Sequence, residues 1–236
     1  MNRGCDLNCG NIYGNLLKAV EDGLVEEETI TRAVVRLLTT RMKLGLFDPQ
    51  DKVPFNAIDY GVVDCEKHRK LNERAAKKSA VLLKNEDALL PLDKKAYRTI
   101  GVIGPNANNR KALVGNYEGT ASEYITILEG IQAYVGDEVR VLYSEGCHLC
   151  KDRIQGLSQG NDRMSEVRAV ADASDVIIAC MGLDASLEGE EGDEGNEFAS
   201  GDKPGLNLPG LQEEVLEELV KSGKPVVLVL LSGSAL

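Results

Sequence analysis

The residues best suited to chemistry lie in an acidic, glycine-rich segment. Within fourteen residues the chain carries seven carboxylates: Asp184, Glu188, Glu190, Glu191, Asp193, Glu194 and Glu197. Close packing of like charges raises the pKa of at least one carboxyl group. A glutamate that stays protonated near neutral pH can donate its proton to a leaving oxygen, and glycines allow a close approach of the backbone to a ligand.

Two plainer interpretations of this segment compete with an acid/base role. A run of acidic residues is most often a solvated loop, and carboxylates with backbone carbonyls are also the ligands of Ca²⁺. The carboxylate spacing of an EF-hand loop, with its closing glutamate, is absent from the sequence. Composition alone therefore leaves the acid/base interpretation in the minority.

A second cluster is the C-x-x-C sequence from Cys147 to Cys150, which encloses His148. Such a pair is either redox-active or half of a zinc site. No second C-x-x-C or H-x-x-x-H sequence follows, and the other histidine is the distant His68. Spacing therefore disfavours zinc, and we expect no metal or cofactor. Six cysteines are too few for a disulfide scaffold of this length, which favours a reducing compartment.

Strands and helices alternate in the second half of the chain. Apolar runs at 99–103, 139–143, 176–180 and 226–231 predict strands, and helical patterns lie at 122–134, 163–173 and 210–221. This alternation predicts an α/β fold with a doubly wound, mostly parallel sheet. Ligands of such sheets bind at the carboxyl ends of the strands. The loop over residues 181–205 is exceptionally long at about 25 residues, and it contains the acidic segment.

Charge and hydropathy exclude several classes of partner. The net charge is −11 over 236 residues, which argues against nucleic acid and against an anionic membrane surface. No apolar run reaches the length of a membrane span, and the first 20 residues lack the pattern of a secretory signal. We therefore expect a cytoplasmic protein. The sequence suggests that both ends are cut. Residues 1–10 have the pattern of a turn with nothing before it, and the strand pattern at 226–231 lacks its covering helix.

The order of short motifs resembles the glycoside hydrolase family 3 enzymes, the β-glucosidases and β-xylosidases. Nine segments stand in family order along almost the whole chain, and no single one is specific. They are residues 4–10 (GCDLNCG), 19–25 (AVEDGLV), 41–48 (RMKLGLFD), 76–85 (AKKSAVLLKN) with 90–92 (LPL), 100–107 (IGVIGPNA), 115–119 (GNYEG), 182–184 (GLD), 208–212 (LPGLQ) and 224–233 (KPVVLVLLSG).

The resemblance implies a division into domains. Residues 1–48 would be the helical tail of a (β/α)₈ barrel, 49–75 a linker, and 76–236 an α/β sandwich domain that is truncated at its C-terminus. The family nucleophile is an aspartate in a Ser-Asp-Trp-like motif on a barrel strand. This chain has no tryptophan and no such motif, and Asp6 stands in a different sequence context.

The resemblance also implies a position for the general acid/base. In the family it follows a Gly-Leu-Asp segment, with two glutamates and an aspartate spaced as Glu188, Glu190 and Asp193 are here. Glu188 is favoured, Glu190 is the close alternative and Glu191 a distant one. Glu194 replaces a common arginine, which puts the pairing of Asp193 in doubt, and the stretch 194–206 is longer than expected.

Two hypotheses about function result. The first is a retaining, exo-acting β-glucosidase or β-xylosidase, of which this chain carries the general acid/base but not the nucleophile, so that the chain alone would be inactive. Its substrate would be an oligosaccharide or an aryl β-glycoside. The alternative is a non-catalytic sugar-binding or scaffolding α/β module, which an activity assay would distinguish from the first.

Overall fold

The computed structural model describes residues 1–86, 88–115, 117–153, 155–187 and 203–236. The candidate acid/base residues Glu188, Glu190 and Glu191 lie outside the described residues. The chain forms two compact units, Met1–Ser79 and Ala80–Leu236. The assignment of residues 1–48 to a barrel tail and of 49–75 to a linker stays a prediction.

The first unit is helical. Its α-helices are α1 (Leu16–Glu21), α2 (Glu27–Lys43) and α3 (Glu66–Ser79). Acidic residues in the first turn of α2 and basic residues in its last turn complement the helix dipole. The sequence from residue 65 to 83 has a helical pattern and predicts a longer helix, but α3 ends at Ser79. There the Ser79 hydroxyl donates to the Ala76 carbonyl, a local bond that competes with continuation of the helix.

The second unit contains a four-stranded parallel sheet, as the sequence predicts. Its strands are β1 (Thr99–Ile103), β2 (Arg140–Ser144), β3 (Val176–Gly182) and β4 (Val226–Leu231). The strand order is β2-β1-β3-β4, and all three neighbouring pairs are parallel. Every residue of β3 is buried, because this strand has neighbours on both edges and side chains packed on both faces.

Three helices cover the sheet: α4 (Ile127–Val135), α5 (Met164–Asp172) and α6 (Gln212–Lys221). Successive residues of a strand point to opposite faces, so β3 contributes to two separate cores. The core with α5 and α6 contains Ile177, Ala179 and Met181, together with Val167, Val215 and Leu219. The core with α4 contains Val176, Ile178 and Cys180, together with Leu128 and Val135. The doubly wound prediction is thereby confirmed.

The topological switch point of the sheet lies between β1 and β3. The strand order reverses there, since the helix after β1 covers one face and the helix after β3 covers the other. Doubly wound folds bind ligands at the carboxyl edge of the sheet, at the point where the strand order reverses. The acidic segment begins at this edge, directly after β3. Among the described residues, no helix has the length and apolar character needed to cross a bilayer.

Candidate functional site

The segment that leads to the candidate acid/base residues begins at Gly182. This residue has φ +121°, and a Cβ atom built on it would lie 1.9 Å from the carbonyl oxygen of Leu231. Only glycine tolerates such an approach without a shift of the neighbouring strand. The next amide, that of Leu183, donates to the same Leu231 oxygen at 2.7 Å. The end of β3 is thus held tightly against β4.

On the opposite side, the end of β3 is held by the loop after β1. The backbone amide of Asn106 donates to the carbonyl of Cys180 at 3.2 Å, and its side-chain Nδ2 donates to the carbonyl of Leu183 at 3.1 Å. Asn106 is only 1% exposed. A buried amide whose hydrogen bonds are satisfied is a rigid support. The loop over residues 104–109, which contains Asn106, therefore fixes the end of β3.

Asp184 is the next fixed point. Its Oδ2 accepts from Asn109 Nδ2 at 2.8 Å, and its Oδ1 accepts from the Ser186 amide at 2.8 Å. The Leu187 amide then closes a turn onto the Asp184 carbonyl at 3.1 Å, and the Leu187 side chain is fully buried. Glu188 is therefore the residue that directly follows a fixed turn and a buried anchor.

The connection from β3 to α6, which contains the acidic segment, ends at Gln212, the first residue of α6. Its Oε1 accepts from the Gly182 amide at 2.7 Å, and its Nε2 donates to the Gly182 carbonyl at 2.8 Å. The same Nε2 donates to the Leu149 carbonyl at 2.7 Å, in the loop after β2. The side chain is 0% exposed, although glutamine is usually a surface residue.

The C-x-x-C sequence forms a compact turn beside Gln212. The Nδ1 atom of His148 accepts from the amides of Cys150 and Lys151, both at 3.1 Å. Burial raises the pKa of Cys147 to about 12, so its thiol stays protonated near neutral pH. All six cysteines are free thiols. In the described part of the chain, no group of three or more His, Cys, Asp or Glu residues could hold a metal ion.

The loops after β2 and β4 use their serines locally. The Ser144 hydroxyl accepts from the Gly146 amide at 3.1 Å, and its carbonyl accepts from the Gly104 amide at 3.1 Å. The Ser232 hydroxyl donates to the Ser234 carbonyl at 2.6 Å. The two hydroxyl groups therefore bond within their own loops, and the Ser144 carbonyl also bonds the loop after β1.

Sequence reasoning missed the roles of Asn109 and Gln212. In the sequence, Gln212 is the last residue of an LPGLQ segment. A glutamine at the start of an amphipathic helix that follows a Pro-Gly turn could have suggested an inward-pointing amide. Its partners are 30 and 63 residues away, so no local pattern could name them. Asn109 offered no signal beyond its place in an asparagine-rich loop.

The second unit is a doubly wound α/β domain, and the chain leads into the acidic segment from the end of β3, next to the switch point. Comparison with known proteins specifies the class. The sequence model of the glycosyl hydrolase family 3 C-terminal domain matches residues 80–236. The chain belongs to glycosyl hydrolase family 3.

Curated relatives match along nearly the whole chain. A β-xylosidase/α-L-arabinofuranosidase of Medicago sativa subsp. varia is 34% identical over 236 residues, which is 99% of this chain. The β-D-xylosidase 1 of Arabidopsis thaliana is 35% identical over 98% of this chain. The chain spans 28% of the length of the first relative and 27% of the second.

Solved structures agree with the fold. A family 3 exo-β-xylosidase in complex with a xylobiose aziridine probe gives a TM-score of 0.78 at 30% identity, and the match covers 95% of this chain and 26% of that one. A β-glucosidase from Erythrobacter marinus gives a TM-score of 0.77 at 32% identity, covering 97% of this chain and 32% of that one. The prediction of the family from nine ordered segments is confirmed.

Proposed function

We propose that this chain supplies the general acid/base of a retaining β-glycosidase, and that Glu188 is that residue. The observation that carries the proposal is the fixed turn from Asp184 to Leu187 at the carboxyl edge of β3. Glu188 is the next residue in the sequence. Membership of a family of glycosyl hydrolases supports the reaction class. Glu190 is the close alternative.

The reaction would proceed in two steps on a pair of carboxyl groups about 5–5.5 Å apart. In the first step, a carboxylate nucleophile attacks the anomeric carbon while protonated Glu188 gives its proton to the departing glycosidic oxygen. In the second step, ionised Glu188 takes a proton from a water molecule, which attacks the anomeric carbon and releases the nucleophile. The nucleophile would come from a barrel domain of the family type, outside these 236 residues.

The substrate we propose is a β-xyloside. The curated relatives named above are β-xylosidases, and one of the similar structures holds a xylobiose-derived probe. Xylose lacks the hydroxymethyl group that glucose carries, so a pocket shaped for xylose would exclude glucose by contact. We expect kcat/KM for nitrophenyl β-xyloside to exceed that for nitrophenyl β-glucoside by about tenfold or more. An equal or reversed ratio would contradict the xyloside assignment.

The acid/base role is tested by Glu188→Gln in a polypeptide that joins this chain to a family 3 barrel. The change removes the transferable proton and keeps the side-chain volume. We expect turnover of phenyl β-xyloside to fall by about 10²–10⁴-fold, the contribution of a positioned acid or base. Azide should restore part of the turnover of an activated substrate, because this small nucleophile needs no deprotonation.

Matched controls come from the same segment. Glu190→Gln and Glu191→Gln make the same chemical change two and three residues further on. We expect losses of about threefold or less in both. A full loss in Glu190→Gln with near-normal turnover in Glu188→Gln would move the role to Glu190.

The 236-residue chain itself gives a separate test. We expect no turnover of nitrophenyl β-xyloside or β-glucoside by this chain, since the proposal places the nucleophile outside it. Hydrolysis by the chain alone, with retention of the anomeric configuration, would overturn that part of the proposal. Saturable sugar binding without turnover, even after addition of the barrel, would favour the non-catalytic module.

A further inference from the structure

The ladder between β1 and β3 ends before β3 does. Its last pair is Ile103 with Ala179, whereas β3 continues to Gly182 and pairs there with Leu231 of β4. The peptide groups of successive strand residues point to alternate sides. Leu183 donates toward β4, so the amide and carbonyl of Gly182 point to the side that β1 has already left.

The Gln212 amide occupies the place of the missing strand. It accepts from the Gly182 amide at 2.7 Å and donates to the Gly182 carbonyl at 2.8 Å, which are the two bonds that a neighbouring strand would make. These groups are buried, and a buried peptide group without partners is costly. One side chain therefore completes the sheet at its carboxyl edge.

The same bonds join the two ends of the connection between β3 and α6, which contains the acidic segment. This connection, residues 183–211, begins directly after Gly182 and ends directly before Gln212, so the two residues that flank it are bonded to each other. The second Nε2 proton goes to the Leu149 carbonyl, which ties this junction to the loop after β2. Three of the four hydrogen-bonding positions of the amide are occupied.

From this geometry we infer that Gln212 is a positioning residue for the segment that carries the acid/base. The inference rests on the proposed function, since it needs a proton donor within residues 183–211. A displaced donor transfers its proton poorly, and a misplacement of about 1 Å costs about a hundredfold in rate. Gln212 itself does not touch substrate in this role.

The leaving group separates positioning from general stability. Phenyl β-xyloside needs a proton on its departing oxygen, whereas 2,4-dinitrophenyl β-xyloside loses a stable anion that needs none. The value of kcat/KM reports the first chemical step. A misplaced acid therefore lowers kcat/KM for the phenyl substrate alone, while partial unfolding lowers both values by the same factor.

The experiment uses the barrel-joined polypeptide with four changes. Gln212→Met removes all three hydrogen bonds of the side chain at nearly constant volume. Gln212→Glu keeps an acceptor and loses both donors, and it is used if Gln212→Met does not fold. Leu219→Ala is the matched control, because Leu219 is a fully buried residue of the same helix. Glu188→Gln reports on the proposed function.

We expect the Gln212 variants to lose about a hundredfold with the phenyl substrate and about threefold or less with the dinitrophenyl substrate. Leu219→Ala should change both by the same factor. In one outcome, a Gln212 variant loses the same factor in kcat/KM with both substrates while Glu188→Gln loses more with the phenyl substrate. That result would overturn the positioning role and leave the proposed function intact. Discrimination in Gln212→Met without discrimination in Glu188→Gln would support positioning of another carboxyl group and overturn Glu188. If neither Gln212→Met nor Glu188→Gln lowers kcat/KM for the phenyl substrate more than for the dinitrophenyl substrate, both the positioning role and the proposed function are overturned.

Discussion

At the scale of single residues, Asn109 joins the loops that leave β1 and β3. Its Nδ2 donates to Asp184 at 2.8 Å and to the Asn106 side chain at 3.2 Å, and its Oδ1 accepts from the Lys111 amide at 2.9 Å. Asn109→Ala removes these bonds at a half-buried position. We expect the free energy of unfolding to fall by about 0.5–1.5 kcal/mol, measured by urea denaturation.

The matched control for Asn109 is Asn207→Ala, which makes the same chemical change at an exposed position of the second unit. We expect a change of about 0.5 kcal/mol or less there, as for surface substitutions in general. Equal losses in the two variants would show that the contact between Asn109 and Asp184 does not stabilise the fold.

Cys180 gives a dependence of stability on pH. Burial raises the pKa of its thiol to about 12. Below pH 9 the thiol is protonated in both the folded and the unfolded chain, so its stabilising contribution is complete. Above pH 9 the unfolded chain releases the proton while the folded chain retains it, and the free energy of unfolding falls until the pH passes the folded pKa. The slope approaches about 1.4 kcal/mol per pH unit.

The prediction for Cys180 is checked by urea denaturation at pH 8, 9 and 10 under a reducing agent. Cys180→Ala removes this titration, and the lysines and tyrosines titrate in both proteins. We expect the native chain to lose stability more steeply than the variant between pH 9 and 10. Parallel profiles would mean that the Cys180 thiol ionises in the folded chain as readily as in the unfolded one.

At the scale of elements, the start of α4 is fixed by a capping box. Thr126 Oγ1 accepts from the Glu129 amide at 3.2 Å, and the Glu129 carboxylate accepts from the Thr126 amide at 2.8 Å. The hydroxyl also donates to Asn108 at 3.0 Å. Thr126→Ala removes the side-chain cap, and we expect a loss of about 1 kcal/mol in the free energy of unfolding.

Thr126→Ser is the conservative partner of that change, since serine keeps the hydroxyl and caps helices equally well. Urea denaturation should place the serine variant within about 0.5 kcal/mol of the native chain. An alanine variant as stable as the serine variant would show that the cap does not contribute to stability.

Most elements were predictable from the sequence, and their ends were less so. The runs at 99–103 and 226–231 coincide with β1 and β4, because short apolar runs between turn residues have few other places in an α/β fold. The helix predicted from residue 122 begins at Ile127 instead, after the cap at Thr126. The strand predicted to end at residue 180 continues to Gly182, because β4 pairs with it as far as Leu231.

The candidate site divides in the same way. The choice of Glu188 as the proposed acid/base follows from the order of the family motifs, which the sequence contains directly. The supports of its segment do not, because Gln212 contacts Gly182 and Leu149 only after the sheet has formed. A contact between residues far apart in the chain depends on the packing of whole elements, and periodicity within one element cannot encode it.

At the scale of the whole molecule, the two units differ in how much they bury. In Met1–Ser79, all of which the structure describes, Ala33 is the one buried residue. Large apolar side chains such as Leu17, Leu46 and Phe47 are exposed there. The other buried hydrophobic side chains in the described part of the chain lie in Ala80–Leu236, and all of them except Leu183 and Leu187 belong to the two cores on the faces of the sheet.

This contrast predicts the behaviour of the two units when they are produced separately. Burial of apolar surface is the main favourable term in folding, so residues 80–236 should unfold cooperatively in urea, with an m-value of about 1–3 kcal/mol/M. Residues 1–79 bury too little to offset the entropy of ordering, and we expect a gradual loss of helical circular dichroism without a cooperative transition. A cooperative transition in residues 1–79, or none in residues 80–236, would contradict the assignment of the core to the sheet.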